Sequence, residues 1–161
     1  MIIADAGPLI ALAKLGELRL LPALFGQVLV SSVVIEECLT DSAKPGAELI
    51  HQALLAGWLT IRELDDIPYV DLPMLLDDGE AAALRLAYQL AEPVLIDDKR
   101  GRSAARKLHL SVIGLCGVLV YAKQKGLIAR IKPLLDQLQG HGYYLAPALV
   151  LHTLSLAREG M

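Results

Sequence analysis

The chain has 161 residues, a mass of 17.3 kDa and a formal net charge of −3. Hydrophobic residues make up 55% of it, which excludes an intrinsically disordered chain because disorder requires low hydrophobicity and high net charge. The longest nearly apolar run, residues 110–122, is shorter than the roughly 20 residues that a membrane-spanning helix needs. The first residues lack the basic start of a signal peptide, so we expect one cytoplasmic domain over residues 1–161.

The cysteines and histidines do not follow any spacing that is typical of a metal site. Cys38 and Cys116 lie far apart in the sequence, and no CxxC pair or Cys/His cluster is present. The sequence therefore predicts two buried, reduced thiols rather than a zinc site or a disulfide-built domain. The scattered histidines are expected to be structural or surface residues: His51, His109, His141 and His152.

Charge is distributed unevenly along the chain. Residues 1–98 hold 16 acids and 5 bases, a net of −11, whereas residues 99–161 hold 2 acids and 10 bases, a net of +8. The sign changes within one segment, Asp97-Asp98-Lys99-Arg100. The asymmetry indicates either an anionic partner or two halves whose charges neutralise each other in the fold.

Short apolar strands alternate with helices along the sequence. In chain order we predict strand 2–4, helices 9–14 and 17–24, strand 28–30, helices 33–39 and 47–56, strand 58–61, helix 77–90, strand 93–96, helix 99–108, strand 110–113, and helices 114–124, 131–139 and 147–157. Pro68 and Pro73 predict an irregular acidic segment over residues 63–76. This order is typical of an α/β layer fold with a mainly parallel sheet, whose strands are buried on both faces.

Acidic residues follow two of the predicted strands. Asp5 follows the first strand, and Asp97 and Asp98 follow the fourth. Ligands of open parallel sheets bind outside the carboxyl ends of the strands, so these carboxylates converge if the two strands are neighbours. Glu80 and the pair Glu36/Glu37 lie near the starts of helices that could lean over the same edge. Each residue also has a structural interpretation: a helix cap for Asp98, a favourable helix-dipole charge for Glu80, and a solvated face for Glu36/Glu37.

Several carboxylates in one cleft repel each other unless a cation lies between them. Oxygen ligands suit Mg²⁺ or Mn²⁺, and such ions commonly serve phosphate chemistry. A basic cluster follows the fourth strand and could hold a polyanion, or could be a solvated helix face: Lys99, Arg100, Arg102, Arg106 and Lys107. The sequence lacks a GxxxxGK[ST] phosphate loop, a GxGxxG fingerprint and a GxSxG nucleophile elbow.

A set of short motifs occurs in a recognisable order along most of the chain. They are residues 5–12 (DAGPLIAL), 33–37 (VVIEE), 78–83 (DGEAAA) and 95–102 (LIDDKRGR), followed by Ala104-Ala105, Gly114, residues 117–119 (GVL) and Ala122-Lys123. Together they resemble the PIN-domain family of metal-dependent ribonucleases, and especially its small prokaryotic branch related to VapC-type toxins. The resemblance implies a three-layer α/β/α fold whose five-stranded parallel sheet has the order 3-2-1-4-5.

The resemblance also implies which residues act. Asp5, Glu37, Glu80 and Asp98 would be the catalytic carboxylates. Together with Asp97 they would bind Mg²⁺ or Mn²⁺, and Glu36 is a less favoured ligand. Lys99, Arg100, Arg102 and Arg106 would contact RNA. The sequence departs from the family pattern at Gly7, where many members carry Ser or Thr, and at Glu80, where Asp is commoner.

The function implied is hydrolysis of RNA phosphodiester bonds, with the protein as the toxin of a toxin–antitoxin pair and an antitoxin protein as partner. Gly7 motivates an alternative, a catalytically weak or inactive PIN-like module that binds nucleic acid or protein. A third interpretation is an enzyme acting on a small phosphorylated metabolite. Apolar residues in the last helices are either core or a dimer contact, and we predict a homodimer: Leu145, Leu149, Val150, Leu154 and Leu156.

Overall fold

The computed structural model describes residues 1–40, 45–64, 66 and 69–160. In chain order the elements are β1 (Ile2–Ala4), α1 (Ala6–Lys14), α2 (Leu20–Phe25), β2 (Val28–Val30), α3 (Ser32–Leu39), α4 (Pro45–Leu55), β3 (Thr60–Ile61), α5 (Asp78–Leu90), β4 (Val94–Leu95), α6 (Lys99–Lys107), β5 (Val112–Ile113), α7 (Leu115–Gln124), α8 (Lys132–Gly140) and α9 (Pro147–Leu156). The predicted sequence of strands and helices is confirmed, while Pro68 lies outside the described residues.

The five strands form one parallel sheet in the order β3-β2-β1-β4-β5, as the resemblance implied. β1 is central, with Ile3 opposite Leu29 of β2 and Ala4 opposite Leu95 of β4. Strands one and four are therefore neighbours, and their carboxyl ends lie side by side at one edge of the sheet.

Alternate strand residues pack into two separate hydrophobic layers. Ile2 and Ala4 pack in the larger core with residues of α1, α3, α4 and α7 to α9. Ile3 and Leu29 point to the other face and pack with residues of α5 and α6. The predicted three-layer α/β/α architecture is thus observed, and burial on both faces explains why the strand sequences are apolar without alternation.

The observed elements differ from the predicted ones mainly at their ends. α1 begins at Ala6 rather than at residue 9, because Asp5 occupies the N-cap position with an extended backbone. α2 begins at Leu20 rather than at residue 17. β3, β4 and β5 have only two residues each. These differences leave the strand order and the position of the acidic residues unchanged.

Glu159 fixes the end of the chain to the start of α8. Its carboxylate accepts hydrogen bonds from the backbone N–H groups of Ile131 (2.8 Å) and Lys132 (3.1 Å) and from Lys123 Nζ (2.9 Å). Burial alone would raise the pKa of Glu159, but these donors and the charge of Lys123 outweigh it and lower the pKa to about 2. The carboxylate therefore links α7, the start of α8 and the segment after α9.

Both cysteines are buried free thiols, as predicted from their spacing. Burial, with the charges of Glu37 and Asp5 adding to it, raises the pKa of Cys38 to about 12, so this thiol stays protonated. Across residues 1–40, 45–64, 66 and 69–160, no helix is both long and apolar enough to cross a membrane.

Candidate active site

Acidic side chains that follow two strands, or lie on or cap two helices, line one cleft at the carboxyl edge of the sheet. The cleft has a volume of about 730 Å³, within the usual range for ligand sites. Its acidic residues are Asp5, Glu37, Asp77, Glu80, Asp97 and Asp98. The structure thus brings together Asp5, Glu37, Glu80, Asp97 and Asp98, whereas Glu36 is not among the lining residues.

Asp5 is the most deeply buried of these carboxylates, with 6% of its surface exposed. Burial raises its pKa to about 7, and the negative charges of Asp77, Glu37 and Asp98 add to the shift. The nearby backbone N–H of Ala6 opposes the shift without cancelling it. A buried acid with a raised pKa is poorly compensated when ionised, which is a common property of functional carboxylates.

Glu37 of α3 and Glu80 of α5 approach the same space. Burial raises the pKa of both, to about 8 for Glu80, and the charge of Asp77 contributes to each shift. Glycine permits the close packing behind them: a Cβ on Gly79 would lie 2.7 Å from Glu37 Oε2, and one on Gly101 would lie 3.4 Å from Glu80 Oε2 and collide with Ile96. The two motif glycines thus let the helices carry their carboxylates into one cleft.

Asp98 lines the cleft and also caps α6. Its Oδ2 accepts hydrogen bonds from the backbone N–H groups of Arg100 (3.0 Å) and Gly101 (3.1 Å). The structural interpretation of Asp98 as a helix cap is therefore correct, and it is compatible with a second role. The cap fixes the carboxylate at the end of β4.

Asp97 uses both of its carboxylate oxygens to join separate parts of the chain. Oδ1 accepts a hydrogen bond from the backbone N–H of Leu115 at the start of α7 (2.9 Å), and Oδ2 accepts one from the Tyr143 hydroxyl. A Cβ at Gly114 would lie 2.7 Å from Asp97 Oδ1 and 3.3 Å from Arg102 Nη1, so this junction is tight. Because both of its oxygens accept hydrogen bonds, Asp97 is a structural junction that joins the end of β4 to the start of α7 and to Tyr143.

Two residues of the cleft were not identified as site residues from the sequence. Asp77 was predicted only as the first residue of a helix. Its Oδ1 accepts a hydrogen bond from Glu80 N (2.7 Å), and its charge also acts on Asp5, Glu37 and Glu80. Tyr143 had no sequence signal, because it lies 46 positions from Asp97.

Among models of protein families, one that describes a PIN domain matches residues 1–159. The chain belongs to the PIN-domain family. Searches of curated proteins and of solved structures gave no match. The family assignment confirms the PIN part of the resemblance, while the relationship to VapC-type toxins stays a prediction.

PIN domains are generally nucleases and typically use divalent metal ions. Within the described part of this PIN domain, no group of three or more His, Cys, Asp or Glu side chains has the geometry to hold a metal ion. The donor set nevertheless fits a hard cation, because it consists of carboxylate oxygens. Burial and mutual repulsion raise the pKa values of the carboxyl groups of Asp5, Glu37 and Glu80. A divalent ion would relieve both effects.

The predicted RNA-contacting residues lie on α6, which begins directly after Asp97 and Asp98. Lys99, Arg100 and Arg106 are exposed, whereas Arg102 is half-buried and lines the cleft of this PIN domain. Arg102 Nε is buried and has no hydrogen-bond partner among the described residues. Of the described residues that line the cleft, Arg102 is the only lysine or arginine. It is therefore the basic residue best placed to meet an anion in the cleft.

Proposed function

We propose that this PIN domain is an endoribonuclease that hydrolyses RNA phosphodiester bonds with Mg²⁺ or Mn²⁺ as cofactor. Asp5, Glu37, Glu80 and Asp98 would hold the cation. The observation that carries the proposal is the buried Asp5 carboxylate. Burial and the charges of three neighbouring carboxylates raise its pKa to about 7. A buried charge normally has a partner, and a cation supplied from solution is the partner that this donor set suits.

A bound divalent cation would supply Lewis-acid chemistry, which activates water and offsets negative charge on a leaving oxygen. The chain supplies the remaining parts. Asp98 is fixed by its cap hydrogen bonds, and Asp97 fixes the start of α7 beside it. Arg102 would bind a phosphate oxygen in the cleft, while Lys99, Arg100 and Arg106 would bind the backbone of the same strand outside it.

The biological role is a further part of the proposal. The prokaryotic toxin branch of the resemblance supports a toxin–antitoxin function with a protein antitoxin as partner. Leu145 and Leu154 of the predicted dimer contact are buried, whereas Leu149 and Leu156 remain exposed and so remain available for a homodimer. We further propose that residues 1–161 act as one domain in the cytoplasm.

The test is calorimetric titration of Mn²⁺ into the wild type and into Asp98→Asn at neutral pH. Asparagine keeps the cap of α6 but loses the charge, so folding should survive while saturable binding weakens at least tenfold. Asp71→Asn is the matched control, since Asp71 is exposed and does not line the cleft. RNA cleavage that needs Mn²⁺ and is lost in Asp98→Asn would support the proposal, whereas equal cleavage by both proteins would refute it.

A non-catalytic binding module is the second candidate, and Gly7 favours it. Gly7 lines the cleft but carries no hydroxyl where many family members do. Saturable RNA binding without cleavage in any divalent metal would support this candidate over the nuclease.

A further inference from the structure

Tyr143 reaches the edge of the cleft from the segment between α8 and α9. Its ring packs against the larger core, and its hydroxyl donates a hydrogen bond to Asp97 Oδ2. Burial, with the negative charge of Asp97 adding to it, raises the pKa of Tyr143 above its usual value, so the hydroxyl keeps its proton and remains a donor. The other oxygen of Asp97 accepts its hydrogen bond from the backbone N–H of Leu115 (2.9 Å). Asp97 is thus held by one backbone donor and one side-chain donor.

Arg102 lies beside Asp97 without pairing with it. A Cβ at Gly114 would lie 2.7 Å from Asp97 Oδ1 and 3.3 Å from Arg102 Nη1, so these two atoms are no more than about 6 Å apart. Among the residues that the structure describes, no ion pair joins the two side chains. Arg102 Nε is buried and has no hydrogen-bond partner there. Opposite charges at this distance attract each other, and more so in a partly buried site than in water, so the missing ion pair needs a cause.

The hydrogen bonds of Asp97 provide that cause. Arginine binds a carboxylate best when its planar fork meets both oxygens in two parallel hydrogen bonds. Both oxygens of Asp97 already accept a hydrogen bond, which lowers their attraction for a further donor. The backbone N–H of Leu115 is fixed by the start of α7, whereas the Tyr143 hydroxyl is a single group at the end of a side chain. The tyrosine hydroxyl is therefore the donor that a point substitution can remove.

We propose that Tyr143 is a positioning residue, whose hydroxyl occupies Asp97 and thereby keeps Arg102 free for an anion in the cleft. This inference rests on the proposed function, in which Arg102 binds a phosphate oxygen. Without the hydroxyl, one oxygen of Asp97 has no donor, and Arg102 is close enough to supply one. The guanidinium group then turns towards Asp97 and away from the cleft. Asp97 thus competes with the substrate phosphate for Arg102, and Tyr143 suppresses this competition.

The inference is tested by fluorescence anisotropy with a short labelled RNA in Ca²⁺, and the integrity of the RNA is checked on a gel. The single variants are Tyr143→Phe, Arg102→Gln and Asp97→Asn, and Tyr143→Phe is also combined with each of the other two. Phenylalanine keeps the ring that packs in the core, and thermal unfolding checks that every variant is folded. Tyr88→Phe is the matched control, because Tyr88 is exposed and does not line the cleft.

We expect Arg102→Gln to weaken RNA binding at least about fivefold, since hydrogen bonds to a charged group are lost. Tyr143→Phe should weaken it at least about threefold, whereas Tyr88→Phe should bind within about twofold of the wild type. In the Arg102→Gln or Asp97→Asn background, Tyr143→Phe should change binding by less than about twofold, because the captured group or the capturing charge is missing. Equal binding by Tyr143→Phe and the wild type would overturn the inference. An equal loss in all three backgrounds would also overturn it, since a merely structural role of Tyr143 produces that result.

A crystal structure of Tyr143→Phe gives a second, independent readout. It should show Arg102 within hydrogen-bond distance of Asp97, and an Arg102 side chain in its wild-type position would overturn the inference. The same proteins separate this inference from the proposed nuclease. A Tyr143 effect on RNA binding that requires Arg102, without Mn²⁺-dependent cleavage, would support the positioning role and refute the nuclease. Mn²⁺-dependent cleavage together with equal binding by Tyr143→Phe and the wild type would do the reverse.

Discussion

Replacing Asp5 by asparagine should stabilise the metal-free protein. Burial and neighbouring carboxylates raise the pKa of Asp5 from 3.8 to about 7, and a tenfold change in proton affinity corresponds to about 1.4 kcal/mol. At pH 8 the ionised side chain thus lowers the free energy of unfolding by about 2–4 kcal/mol, the smaller figure allowing for water in the open cleft. For a chain of this length, Asp5→Asn should raise Tm by about 5–15 °C in EDTA.

The pH dependence gives the control for Asp5→Asn. Because the folded-state pKa is raised, the wild type loses stability as pH rises from 3.8 to 7. At pH 5 the advantage of the variant should fall to less than half of its value at pH 8. Saturating Mn²⁺ should stabilise the wild type and leave Asp5→Asn nearly unchanged. Calorimetric unfolding that shows no gain for Asp5→Asn at pH 8 in EDTA would refute the electrostatic reasoning.

Two further predictions concern Gly7 and Glu159. Apart from its chain neighbours and the backbone of its own helix, no atom of the described residues lies within 4 Å of a Cβ built on Gly7, so Gly7→Ser should fold. Calorimetry should show that Gly7→Ser binds Mn²⁺ about 2- to 10-fold tighter than its control Gly7→Ala, and equal affinities would show that the hydroxyl makes no contribution. Glu159→Gln should lower the free energy of unfolding by about 1–2 kcal/mol at pH 7, because Lys123 and two backbone donors hold the carboxylate ionised. Since the pKa of Glu159 is lowered to about 2, this difference should shrink as pH falls from 4.5 towards 2, and denaturant unfolding at pH 7 and pH 3 checks the sign.

The framework of the cleft could be predicted because its signals are local. An apolar strand ended by Asp5, and another ended by Asp97-Asp98, place acids at the carboxyl edge of any parallel sheet. The order of the strands could not be predicted from local signals, because hydrophobic periodicity does not determine which strands are neighbours. Only the family resemblance implied this order. The choice between Glu36 and Glu37 depends on the rotation of α3 about its axis, which tertiary packing sets.

The residues that the sequence did not reveal act across long separations. Tyr143 contacts Asp97 from a segment that follows four later elements, and no spacing rule links them. Asp77 carries the ordinary signature of a helix cap, and its effect on Asp5 exists only after α5 has packed on β1.

The Asp97–Tyr143 junction also determines when the cleft is complete during protein synthesis. Asp5 is made early, Asp98 more than ninety residues later, and Tyr143 later still. At roughly 5–20 residues per second, the interval between Asp5 and Tyr143 is on the order of ten seconds. During that time the nascent chain has its central strand, gains β4 part-way through, and still lacks the Tyr143 hydroxyl that donates to Asp97. The cleft in its final form therefore exists only after translation has passed residue 143, the last of the residues that this junction joins.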